Sequence, residues 1–346
     1  MDKDKRQGVV IMKWLKQNIQ GILFAFVIAL IATWLGNVLP IIGGPVFGII
    51  IGIIINNVFG KPKNTLKGIG FTSKKILQWA IIVLGAGLSF TKVLQTGMDS
   101  LSVTVFTLSA AFIAAYAFGK LLGIPSKLKT LIAVGTAICG GSAIAAIAPI
   151  IEADEMEIAY SISTIFLFNI IAVLIFPPLG HLLHFSDKAF GLWAGTAIND
   201  TSSVVAAGYA FSNLAGTYAT IVKLTRTTMI IPISIIFSIV VAVQKKRESK
   251  ADTTVNFSLR KIFPWFVLWF LVASLLNTWG LFKGNSIFYI NTLGKFMIVM
   301  ALSAIGLSSD FKKMMKNGVK PILLGLIVWF TVAVVSIVVQ VITKQM

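Results

Sequence analysis

Residues 191–211 read GLWAGTAINDTSSVVAAGYAF, and residues 131–151 read LIAVGTAICGGSAIAAIAPII. Gly-Thr-Ala-Ile stands at 195–198 in one and at 135–138 in the other. Each copy runs on through small and polar residues to a serine, Ser202 or Ser142, and an alanine pair. Both stretches are long and apolar enough to span a bilayer. Yet their centres carry Asn199-Asp200-Thr201-Ser202-Ser203 and Cys139-Gly140-Gly141-Ser142, which a helix made only to sit in lipid does not need. Interrupted backbone and polar groups at that depth are tolerated where they line a cavity or are enclosed by protein. The repeat therefore points to a transport site.

Working outward, the 346 residues are 57% hydrophobic and only 12% charged, against about a quarter charged in a soluble domain. The chain reads as a polytopic, all-α membrane protein. No polar stretch is long enough to fold alone, so 1–346 is expected to form a single integral membrane domain. The net charge of +18 would suit nucleic acid, but the Lys and Arg residues lie in short loops between apolar runs, as the positive-inside rule expects. A nucleic-acid partner is excluded on that ground. Cys139 is the one cysteine; it excludes an intrachain disulfide and suits a small packing residue.

Hydropathy gives about eleven spans of roughly 20 residues each. They lie near 19–39, 41–59, 76–94, 101–119, 129–151, 158–180, 188–211, 217–243, 262–280, 288–308 and 320–342. The apolar run at 19–39 is too long for a signal-peptide core and lacks a cleavage site, so it reads as a retained span. Residues 1–18 form a cytoplasmic N-terminal segment and 244–261 a basic cytoplasmic loop. With the N-terminus inside and the C-terminus outside, most of the 30 Lys and Arg residues face the cytoplasm, while Glu152, Asp154, Glu155 and Glu157 fall outside.

A weaker similarity has an offset of 219–220. It pairs Pro45 with Pro264, Asn57 with Asn277, Gly60 with Gly280, and Gly87-Leu88-Ser89 with Gly306-Leu307-Ser308. The spans holding these pairs run in opposite directions, as in an inverted-topology repeat. The Gly-Thr-Ala-Ile copies, at an offset of 60, fall on parallel spans. If either segment is re-entrant rather than spanning, the directions change, and the sequence leaves both possibilities open.

Paired glycines at Gly140 and Gly141 cost roughly 1 kcal/mol each in a helix interior. They let the helix unwind and expose backbone N–H groups suited to an anion, with Ser142 as a cap; close helix packing is the competing reading. Asn199, Thr201, Ser202 and Ser203 offer hydrogen bonds, and Asp200 is the acidic residue placed near mid-bilayer. An aspartate there is costly unless paired, hydrated or protonated. It reads as a coupling group, a partner for a buried base, or a helix cap. Lys223 and Arg226 share a helix face in the next span. Arg226 is deep and able to pair with Asp200 or with an anion, while Lys223 is shallower and within reach of the outer interface. Two cations against one aspartate favour an anionic substrate. Asn169 reads as a helix–helix hydrogen bond, and His181 with His184 as interfacial. There is no nucleotide-binding loop, metal-ligand spacing or nucleophile–base arrangement, so neither an enzyme nor a cofactor is expected.

GTAICGGSAIAAIAP at 135–149, GLWAGTAINDTSSVVAAG at 191–208 and, more weakly, LGAGLSF at 84–90 resemble the YeiH-like family of bacterial inner-membrane proteins. This is a family of unknown function sometimes classed as sulfate exporters. The resemblance covers most of the chain. It implies a multi-pass protein of the bacterial plasma membrane, distantly similar to transporters of the bile-acid-symporter and sodium/proton-antiporter type, with unwound crossing helices.

The reading is secondary transport of a small anion, sulfate-like by that association. The site comprises Gly140, Gly141, Ser142, Asn199, Thr201, Ser202, Ser203, Lys223 and Arg226. Asp200 either couples transport or sets the position of Arg226. The alternatives are a cation/proton antiporter exchanging at Asp200, and a non-transporting membrane scaffold or receptor. Candidate partners are a small anionic solute, the bilayer, a coupling proton or sodium ion, and a second copy of the chain.

Overall fold

The computed structural model describes residues 2–39, 43–247, 263–310 and 318–346, and these contain helices and no strand. In chain order the helices are α1 (Asp2–Val38), α2 (Gly43–Ile54), α3 (Leu66–Phe71), α4 (Leu77–Gly85), α5 (Phe90–Leu121), α6 (Ser126–Ala137), α7 (Gly141–Ile147) and α8 (Glu155–Leu182). Then follow α9 (Asp187–Ala197), α10 (Thr201–Phe211), α11 (Asn213–Thr228), α12 (Ile230–Arg247), α13 (Trp265–Thr278), α14 (Asn285–Ser308) and α15 (Val319–Ile342). Six stretches among the described residues are long and apolar enough to cross a membrane, with two shorter apolar helices at 43–59 and 265–278. Five of the eleven expected spans are not among these six: 129–151 and 188–211 do not form continuous helices, and 41–59, 76–94 and 262–280 hold shorter ones. Most of the basic loop 244–261 lies outside the described residues.

Backbone contacts divide the chain into two compact units. One is Met1–Lys92 with Phe266–Asp310, and the other is Val93–Trp265 with Phe311–Met346. In the first, Gly48 lies against Val299 and Ser303, and Gly52 against Ser303 and Leu307, so α2 and α14 run parallel. Gly87 lies against Asn291 and Gly294 against Leu84, so α4 and α14 run antiparallel. The matched Gly-Leu-Ser triplets thus close two helices of opposite direction. The other matched glycines, Gly60 and Gly280, share a left-handed φ of 74° and 80°.

In the second unit Gly119 on α5 lies against Leu324 of α15, while Gln345 Nε2 donates to the Asp99 carbonyl at 2.8 Å. The two helices are antiparallel and define two ends. At the Gly119 end, Lys127 Nζ donates to the Glu152 carbonyl at 2.6 Å. The chain enters along α6, turns at Ile138–Gly140 and returns along α7. Helix α8 then runs its 28 residues, roughly 42 Å at 1.5 Å each, to the other end. There Ser212 Oγ donates to Asp187 Oδ1 at 2.5 Å, and the His181 ring stacks on Phe211 at 4.2 Å. The chain enters along α9, turns at Ile198–Asp200 and returns along α10.

Packing against α11 confirms the second turn. Gly191 lies on Ala215 and Tyr218 and Gly195 on Ala219 and Val222, so α9 and α11 are parallel. Gly208 lies on Gly216 and Ala219, and Gly216 on Tyr209, so α10 and α11 are antiparallel. The two expected spans are therefore re-entrant hairpins, and they enter from opposite ends. Each is followed by a helix, α8 or α11–α12, that leads to the far end. The offset-60 repeat is thus inverted, not parallel. The unwound crossing helices implied by the family resemblance are replaced by folded-back ones. Glu152, Asp154, Glu155 and Glu157 consequently lie at the same end as Lys127, not opposite it. Asp154 and Glu157 there form a reciprocal cap at the start of α8.

Candidate functional site

Both hairpins turn where the sequence gives up helix. Gly140 has φ 70° and ψ −131°, a conformation that a side chain opposes. At the other tip Ile198 and Asp200 are extended, with φ −86° and −95°. Asp200 caps α10, accepting from the Ser202 N–H at 2.9 Å and also from the Ser202 hydroxyl. The tips meet: a Cβ added to Gly140 would stand 3.4 Å from that of Asp200.

A helix leaves its last carbonyls without internal partners and with a partial negative charge. Here the ends of α6 and α9 face α11, which supplies two cations. Lys223 Nζ donates to Ile138 O at 2.8 Å and to Ile198 O at 2.9 Å, one carbonyl from each tip. Arg226 donates from Nε to Ala137 O at 2.6 Å, from Nη2 to Thr136 O at 2.6 Å, and from Nη1 to Thr196 O. Both side chains are 0% exposed. Neither has an ion-pair partner among the described residues. Lys223 is therefore not shallow, and Arg226 is positioned by three carbonyls instead of by Asp200.

The remaining expected residues gather at the same place with altered roles. Ser142 does not cap α7. It donates to the Cys139 carbonyl at 3.1 Å and lies 3.0 Å from the Cys139 sulfur, and α7, preceded by Gly140, has no side-chain cap. Gly141 follows it, and a Cβ there would meet Phe166 at 3.7 Å, an ordinary contact. Thr201, Ser202 and Ser203 form the buried first turn of α10. Asn199, at the second tip, is 1% exposed, and neither its Oδ1 nor its Nδ2 has a partner.

Asn169 has a larger role than a helix–helix bond. From α8 its Oδ1 accepts the Asp200 N–H at 3.2 Å and so steadies the second tip, while its Nδ2 is buried and unpartnered. Thr196 Oγ1 joins the second hairpin to Ser336 of α15 at 2.7 Å. The only sequence signal for Asn169 was its polarity in an apolar run. Nothing in the sequence marked Ser336. His181 packs at the base of the second hairpin, and no metal-holding cluster occurs among the described residues.

Comparison with known proteins agrees with the membrane architecture. A family model described as conserved hypothetical protein 698 matches residues 20–325. The chain is 46% identical to a UPF0324 membrane protein of Clostridium tetani over 339 residues, covering 95% of this chain and 98% of that one. It is 46% identical to one from Fusobacterium nucleatum, with 93% and 97% covered. It is 47% identical to one from Streptococcus agalactiae, with 94% and 97% covered. These relatives fit the YeiH-like resemblance read from the two motifs.

Proposed function

We propose a transport function for this chain, which belongs to the UPF0324 family of multi-pass membrane proteins. It acts as a secondary carrier of a small anion, sulfate-like in size, through a site at the two hairpin tips. With Lys223 protonated, Lys223, Arg226 and Asp200 leave one formal positive charge there. The partial charges of the two helix C-termini and two N-termini offset one another. An uncompensated charge inside a bilayer is costly, and an anion cancels this one. The observation that carries the reading is Asn199, buried at the tip next to Ile198 with both amide atoms unpartnered. Leaving such groups unmet costs about 1–3 kcal/mol each. An oxyanion supplies acceptors for the amide donors of Asn199 and Asn169. Gly140, Gly141, Ser142 and the first turn of α10 line the approach.

Inverted repeats with half-membrane segments meeting mid-bilayer are a recurring plan of secondary transporters, and the relationship to membrane proteins of the UPF0324 family is consistent with that class. In this reading the basic segments 61–75 and 120–129 face the cytoplasm, as does the first hairpin's base with its acidic cluster. Lys188 and the second hairpin's base face outward. The test is counterflow in proteoliposomes loaded with unlabelled anion, using labelled sulfate, methanesulfonate, nitrate and chloride in turn. Saturable exchange of at least one of them, reduced tenfold or more in Asn199→Ala, supports the reading. No exchange of any of the four rejects it. Proton release driven by sodium or potassium alone would establish the antiporter instead.

A further inference from the structure

We infer that Lys223 carries the coupling proton, so that one proton moves with one monovalent anion; this rests on the transport reading above. The Lys223 nitrogen meets two acceptors, Ile138 O and Ile198 O, one from each hairpin tip. A neutral amine has two N–H donors and one lone pair, whereas an ammonium has three donors and no acceptor. The two carbonyls match the two donors of the amine. The fourth position on nitrogen is then a lone pair in the empty site, or a third N–H directed at a bound anion.

The charges around it fit that alternation. The titratable groups within electrostatic reach are Arg226 on its own helix, Asp200 on the α9–α10 turn and Cys139 on the α6–α7 turn. Tyr209 of α10 meets Thr217, and Asp187 and Lys188 stand at the start of α9, toward the hairpin base. With Lys223 neutral, Arg226 and Asp200 cancel and the empty core carries no net charge. With Lys223 protonated and a monoanion bound, the core is again neutral. An ammonium without an anion, or an anion without the proton, leaves one charge enclosed away from water. That is the condition that buried groups avoid by gaining or losing a proton.

A proton from the aqueous side that the site faces forms an N–H bond with the Lys223 lone pair as the anion enters, and both leave on the other side. Asp200 serves as the cap of α10.

The test uses the whole protein in proteoliposomes with an entrapped pH dye, potassium equal on both sides and valinomycin present. N-methylglucamine salts of nitrate, chloride, methanesulfonate and sulfate are added in turn, which leaves potassium equal. All four stay essentially ionised near neutral pH, so they carry no proton of their own. The expected result is internal acidification with a ratio of one proton per monoanion, unaffected when a potassium gradient imposes a membrane potential. Lys223→Arg, which cannot release its proton, is expected to lose proton-linked net uptake by at least tenfold more than it loses counterflow. Anion uptake without acidification, or uptake driven by membrane potential in the unaltered protein, overturns the coupling and leaves the carrier reading standing. Absence of exchange for all four anions removes both. The wild-type ratio decides the matter even if the Lys223 variant fails to fold.

Discussion

Ser212 Oγ donates to Asp187 Oδ1 at 2.5 Å although the two residues are 25 positions apart, and between them lie two complete helices. A chain that crossed the membrane over that interval would separate them by its full thickness. Lys127 and Glu152, also 25 positions apart, meet in the same way at the other end of the unit. Two hairpins inserted from opposite ends bring four helix termini together, and the two buried cations of α11 fasten them.

Arg226 is the larger of the two fasteners. Replacing it with Gln frees three buried carbonyls, at Thr136, Ala137 and Thr196. Hydrogen bonds to a charged group contribute about 1.5–3 kcal/mol each, so a loss of roughly 3 kcal/mol or more is expected, together with loss of exchange. Arg226→Lys restores the charge but not the planar fork, and recovers only part. Thermal unfolding in detergent measures both. An unaltered midpoint in Arg226→Gln would contradict the fastening role.

The paired glycines separate cleanly. Gly140→Ala forces a side chain into φ 70° and is expected to cost about 1–3 kcal/mol and to reduce exchange strongly. Gly141→Ala places its Cβ 3.7 Å from Phe166, an ordinary contact, and is expected to fold and exchange nearly as well as the parent. Equal effects of the two in unfolding and counterflow assays would mean that the turn geometry is wrong.

Asp200 acts on α10 as its cap. Asp200→Asn keeps an acceptor for the Ser202 N–H and should retain counterflow. Asp200→Ala removes it, at about 1 kcal/mol. An antiporter exchanging at this carboxylate would lose all activity in Asp200→Asn. Counterflow and unfolding measured side by side on the two variants discriminate.

Much of this site was legible in the sequence, because polarity at mid-bilayer is expensive and therefore conspicuous. Asn199 to Ser203, Lys223 and Arg226 all stand out, and all converge. The direction of the chain was not legible. A hairpin with two arms of about eleven residues has the length and hydropathy of one full span, so 129–151 and 188–211 imitate crossings. Gly140 and Asp200 permit a break whether the helix resumes onward or folds back. The shared error moved the acidic cluster at 152–157 to the wrong end and made an inverted repeat look parallel. The carbonyl partners of Lys223 and Arg226 are backbone atoms, which no side-chain pattern announces. Cations placed beside Asp200 in sequence logic are, in space, held by helix ends.

The hairpins themselves are tested most directly by which side of the membrane their bases occupy. In a Cys139→Ser background, single cysteines replace the exposed residues Lys127, Glu155, Lys188 and Asn213 and are labelled in intact cells with a membrane-impermeant maleimide. Positions 127 and 155 are expected to label alike, 188 and 213 to label alike, and the two pairs to be opposite. If 127 labels with 188 and 155 with 213, both segments cross the membrane and the convergent tips do not exist.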